Sequence, residues 1–172
     1  MNFTKFRRIR TKKRAISKED IMKIERLELI ENSSLLNVKN YFLFSYYCMG
    51  INFIDIANLK WENIKNERLE YTTLKTKEDF SVALMLPAIK ILDYYKKLAF
   101  DENNTYIFPI LSNTYKTPQS IRNRLVKMLR IVNQDLKTIG ENAKISEKLT
   151  TCVARHSFAT NLKKKWHCNF RN

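Results

Sequence analysis

The chain is poor in glycine, proline, histidine and acid. Only two glycines, Gly50 and Gly140, and three prolines occur in 172 residues. So few glycines leave no P-loop and no GxGxxG turn, which excludes the common phosphate-cradling nucleotide sites. Cys48, Cys152 and Cys168 are an odd number without CxxC spacing, so free thiols are expected. Cys152 and His156 share a helix face at i, i+4, but two ligands do not make a metal centre, and no metal is expected. No apolar run is long enough to span a bilayer. The start, Met1 to Arg14, has basic residues without the apolar stretch of a secretion signal. The expected location is therefore the cytoplasm, with no membrane partner and no small-molecule substrate. Seventeen acids against 32 bases leave a net charge of +15, with a pI near 9.8. That excess points to a polyanionic partner, nucleic acid first. A coding bias toward Lys, Asn and Ile from AT-rich DNA would give the same excess, and charge alone does not separate the two.

What is present is a globular composition, 44% apolar and 12% aromatic, sized for one domain. Residues 1–14 hold seven Lys or Arg and no acid. They read as a basic arm over 1–16, with Arg7, Arg8, Arg10, Lys12, Lys13 and Arg14 as candidate DNA contacts; a solvated chain end has the same composition. Ser17 followed by Asp20 marks a helix start whose buried side is Ile21, Ile24 and Leu27. A second helix, about Leu36 to Cys48, is apolar nearly all round and marks the centre of the core; Gly50 can end it. A short helical turn follows at Phe53–Leu59. The period then changes: Leu69, Tyr71 and Thr73 alternate, as do Phe80, Val82, Leu84 and Leu86, around the polar stretch 75–79. That predicts a β-hairpin with a charged turn.

Pro87 opens a helix to about Ala99, and a polar loop is expected at 101–105. The longest helix is predicted from Pro118 to Ile139, with Gly140 just past its end. Ile121, Leu125, Met128, Val132 and Leu136 face the core, and Arg124, Lys127, Arg130 and Lys137 lie on another face. That basic stripe is a second candidate DNA contact, although a solvated helix surface is the commoner meaning. A last helix from Thr150 or Thr151 carries Arg155 and His156. The fold class expected is mainly α with one small antiparallel sheet. From bare residues, pairing with a core carboxylate is the favoured explanation of Arg155 over gripping a phosphate.

The segment ARHSFATNL at 154–162 resembles the signature of the tyrosine recombinases, or phage integrases, especially those of mobile elements in Bacteroides-like bacteria. Three further segments resemble the same family in the right order: RAISKEDI before the first helix, GINFIDIANLKW after the second, and LEYTTLKTK in the hairpin. The resemblance runs from Arg14 to about Lys163 and implies a recombinase catalytic domain over 17–165. Such enzymes attack a DNA phosphate with a tyrosine hydroxyl, form a 3′-phosphotyrosine, and reverse the step onto a second end. They need no metal or nucleotide cofactor. Their partners are double-stranded DNA and other recombinase subunits.

Carried over by position, the resemblance gives Arg155 the scissile phosphate. It makes Lys75 the general acid for the leaving oxygen and His156 an orienting neighbour. Asp55 is the box acid, expected to fix the arginine region. The departures are as specific as the matches. The family's first catalytic arginine is absent from both its usual places, here Asn52 and Met49. The HxxR motif begins with Cys152. The later LGH segment and the tyrosine beyond it do not occur, and 166–172 matches nothing in the family. A frameshift is the simplest source of such an ending. The chain is expected to be a truncated domain, without the upstream core-binding domain, that forms no covalent DNA adduct by itself.

Overall fold

The computed structural model describes residues 15–98 and 105–169, with side chains through 163. The basic residues from Arg7 to Arg14 lie outside them, as do 101–104 of the expected polar loop. Six helices and a three-stranded antiparallel sheet fill the described chain, in agreement with the expected class.

Three of the helices start where a hydroxyl offers an acceptor to the free backbone N–H groups. Ser17 caps α1 (Lys18–Arg26), its Oγ accepting from the Asp20 amide at 3.1 Å. Ser33 does the same for α2 (Ser34–Tyr47) through the Leu36 amide, and Thr117 for α5 (Pro118–Asn142) through the Ser120 amide. Helix α2 is the hub, and α6 (Thr151–Asn169), α5 and α4 (Leu86–Leu98) pack around it. This placement explains its all-round apolarity: Val38, Tyr41, Phe42, Leu43 and Phe44 are all buried.

The short α3 (Phe53–Asn58) leads through a 3-10 turn at Trp61–Asn63 into β1 (Ile64–Lys65). Then come β2 (Arg68–Thr72) and β3 (Asp79–Ala83), in the order β1-β2-β3. The register pairs Leu69 with Val82 and Tyr71 with Phe80. Strand β1 is too short for an alternation signal and was not anticipated.

Two features differ from the expectation, and two more go beyond it. Ile16, placed in the arm, is core: its side chain is buried, its N–H donates to Ser157 Oγ at 3.0 Å, and its carbonyl accepts from Asn161. Gly140 lies inside α5, not past its end. A Cβ there would come within 3.3 Å of Leu149 Cγ, so this glycine serves a close approach, not a helix stop. The stretch after the polar loop is core as well, with Ile107, Phe108, Ile110 and Leu111 buried and Phe108 packed edge-on to Tyr41, Phe44 and Tyr95. Helix α6 runs on through Asn169, beyond the 165 boundary set for the domain.

Candidate functional site

The candidate site begins with a reversal of the backbone after α2. Met49 and Gly50 both adopt left-handed angles, φ 60° and 79°. The Gly50 amide donates back to the Ser45 carbonyl at 2.7 Å, closing the helix end. Glycine is required at position 50 because a Cβ there would lie 2.9 Å from both Cα and Cγ of Arg155. Helix α6 therefore lies directly on Gly50.

This contact fixes Arg155. Its Nε donates to the Gly50 carbonyl at 2.8 Å, while the side chain as a whole remains exposed. Among the described residues no carboxylate pairs with it, and its terminal nitrogens make no hydrogen bond. What remains is a guanidinium held by one nitrogen and free to present the other two as a fork to an anion.

Five residues on, Asp55 is buried in α3, and its Oδ1 accepts from the Leu74 amide at 3.0 Å. The acid was expected to fix the arginine region; the contact it makes is to the hairpin. Leu74 immediately precedes Lys75, so the turn is anchored one residue before its lysine. Hydroxyls order the rest of that turn: Thr73 bonds Thr76, and Thr76 bonds Glu78. Lys75 itself is exposed. Arg155 and Lys75, 80 residues apart in sequence, are thus tethered to the two ends of one segment, Gly50 to Asp55. Those ends are less than about 18 Å apart even if fully extended, and α3 shortens the span. Tyr71, on the strand leading into the turn, feels Asp55, Cys48 and Arg155 together. Burial foremost, then those two acidic neighbours, pushes its hydroxyl up to about 12, against the pull of Arg155.

The α6 side of the site is set by Thr151, whose amide donates to Asn133 Oδ1 of α5 at 3.0 Å. Cys152 and His156 are exposed beside Arg155, one helical turn apart. Cys48 is buried, its thiol pushed up to about 12 by burial. Asn52, one place where the first arginine was sought, is the N-cap residue of α3 and makes no side-chain cap bond. Met49, the other, is 56% exposed.

The α5 stripe divides. Arg124 turns inward, its Nε donating to the Ile110 carbonyl at 2.9 Å and its guanidinium lying 5.6 Å from the Tyr115 ring. Lys127 and Arg130 face outward and, with Arg122 and Asn123, line a shallow depression floored by Val126 and Ile131. Arg122 was not singled out from sequence; its i, i+8 relation to Arg130 was the available signal. Among the described residues no group of three or more His, Cys, Asp or Glu could hold a metal ion, and no helix is long and apolar enough to cross a membrane.

Comparison with known proteins adds three findings. A family model described as the phage integrase family matches residues 19–166. No curated protein matches the chain. Among solved structures, the chain is similar to XerA recombinase, with a TM-score of 0.57 and 18% identity over 88% of this chain and 51% of that one. It is also similar to the lambda integrase catalytic core, with 0.58 and 16% over 91% and 86%. A longer lambda integrase segment bound to DNA gives 0.58 and 15% over 92% and 54%. At these identities the likeness is one of fold. The chain spans about half the length of the XerA recombinase chain it matches.

Proposed function

Because the chain belongs to the phage integrase family, we propose that it is a recombinase domain that holds a DNA phosphodiester between Arg155 and Lys75. The observation that carries this reading is the double tether: Gly50 fixes Arg155, and Asp55 fixes the turn bearing Lys75. Arg155 would present its two free nitrogens to the non-bridging oxygens, where charge grows during phosphoryl transfer. Lys75 would protonate the leaving oxygen, and His156 would orient the same phosphate. The outward cations of α5, Lys127 and Arg130, would track the DNA backbone together with the basic residues from Arg7 to Arg14. Arg124 would order the loop beneath them rather than touch DNA. The partners are double-stranded DNA and, through it, other recombinase subunits.

The 172-residue chain by itself would bind DNA without forming a covalent link. Among its tyrosines, Tyr71 has Arg155 as an electrostatic neighbour. Its hydroxyl is shifted up, opposite to what an activated nucleophile needs. A chain that holds DNA without cutting it would compete with intact recombinases for their sites.

Anisotropy of labelled duplex DNA, titrated across salt, tests the binding half. Affinity should fall log-linearly with salt, and Arg155→Ala should weaken binding and lower the slope by about one. No binding at low salt from a folded chain would refute the proposal. Nicked duplexes run on a denaturing gel test the other half; a trapped protein–DNA adduct would overturn it.

A further inference from the structure

Two aromatic rings continue the inner face of the sheet past the end of the core. Side chains alternate along a strand, so Leu69 and Val82, both buried, share a face with the next pair toward the turn, Tyr71 and Phe80. Tyr71 is half buried, but Phe80 is 41% exposed. Their rings stack with centroids 5.6 Å apart and planes 17° from parallel. Alternation puts Thr72 and Asp79 on the opposite face, where the Thr72 hydroxyl donates to the Asp79 carboxylate. That carboxylate is therefore kept from the rings.

Cations lie close to the pair, and the hairpin carboxylates Glu78 and Asp79 are bonded to the Thr76 and Thr72 hydroxyls. The turn just beyond it carries Lys75 and Lys77, both exposed, and Asp55 pins that turn to the segment under Arg155. Arg155 is also an electrostatic neighbour of Tyr71. An aromatic face next to free cations suits a ligand that carries a flat ring beside an anion. A nucleotide is such a ligand, but in an intact duplex both faces of each base are covered by neighbouring bases. Only an unstacked base can use an aromatic surface.

We infer that Tyr71 and Phe80 form a stacking platform for one unstacked base, next to the phosphate held by Arg155 and Lys75. Phe80 supplies the exposed face, and the half-buried Tyr71 ring stacked against it backs that face. The platform would favour DNA with a nick, gap or unpaired nucleotide over a continuous duplex. This inference rests on the DNA-binding reading above, and its test separates the two.

The experiment compares two labelled duplexes at one salt concentration, identical except for a single unpaired 2-aminopurine. The expected result is tighter binding of the unpaired duplex and quenching of the 2-aminopurine on binding. Phe80→Ala should lose about tenfold in affinity for the unpaired duplex and leave the continuous one unchanged. Phe80→Trp should retain the preference. Phe80→Leu keeps apolar bulk without an aromatic face and should behave as Phe80→Ala. Equal binding of both duplexes, or a preference that survives in Phe80→Leu, overturns the platform and leaves the DNA-binding reading standing. No binding of either duplex overturns both.

Discussion

Replacing Gly50 by alanine tests the joint on which the site depends. Two costs arise together. The residue has φ 79°, a left-handed conformation that costs a residue with a Cβ about 1–2 kcal/mol. The new Cβ would also stand 2.9 Å from Arg155 Cα, a backbone atom of α6 that cannot swing aside. Overpacking of this kind costs roughly 1–3 kcal/mol. The sum is about 2–5 kcal/mol, which in a chain of this size lowers the melting temperature by something near 10 °C. Gly140→Ala is the matched control. Its Cβ would meet Leu149 Cγ at 3.3 Å, the movable part of a side chain. Alanine in a helix interior recovers about 1 kcal/mol relative to glycine, so the net change should lie within about 1 kcal/mol of zero. Urea unfolding of the three proteins gives the comparison directly. If Gly50→Ala unfolds within about 1 kcal/mol of the parent, or Gly140→Ala costs as much as Gly50→Ala, the packing argument is wrong. A folded Gly50→Ala protein should also bind DNA less tightly, because the carbonyl that holds Arg155 Nε has moved.

Other consequences follow from single contacts. Asp55→Asn keeps an oxygen acceptor for the Leu74 amide and should preserve hydrogen-exchange protection there. Asp55→Ala should lose that protection and about 1–3 kcal/mol; equal protection in both variants would deny Asp55 its anchoring role. Ser157→Ala removes the acceptor of the buried Ile16 N–H and should cost about 1–3 kcal/mol in thermal unfolding, while an unchanged stability would mean that the amide finds another partner. Tyr41 and Tyr95 are buried, and burial foremost raises both hydroxyl pKa values above the unfolded value of about 10. Above that pH the unfolded chain releases protons that the fold retains, so stability present below about pH 10 declines as pH rises. Two such groups give a slope of about 2.7 kcal/mol per pH unit, and the Cys48 thiol adds to it from lower pH. Denaturant midpoints from pH 9 to 11 measure the slope, and Tyr95→Phe should reduce it; a flat profile would contradict the burial of these hydroxyls.

The outline of the site was legible because it resides in short ordered segments. GINFIDIANLKW, the hairpin and ARHSFATNL each announce a local structure, and their order narrows the family. The use each residue is put to was less legible. Arg124 and Arg130 look alike on a helix drawn from sequence, yet one turns inward to Ile110 and Tyr115 and the other faces out. Asp55 reads as a structural acid of the arginine region, and nothing local tells that it holds a hairpin amide. Tyr71 and Phe80 alternate as ordinary strand residues. Nothing local tells that the core ends before them and leaves Phe80 exposed.

The sequence by itself determined most of the elements and their inner faces. Caps such as Ser17, the periods of 3.6 and 2, and the apolar content of α2 act between residues close in the chain. Only the tertiary structure decided which groups meet across it. Ile16 joins the core because Ser157, 141 residues away, accepts its N–H. Gly140 sits within a helix because Leu149 packs on it. Arg155 is aimed outward because Gly50, 105 residues earlier, leaves room for its backbone and offers a carbonyl to one nitrogen only. Periodicity carries no record of such pairings, since they depend on how helices cross and how closely two backbones approach.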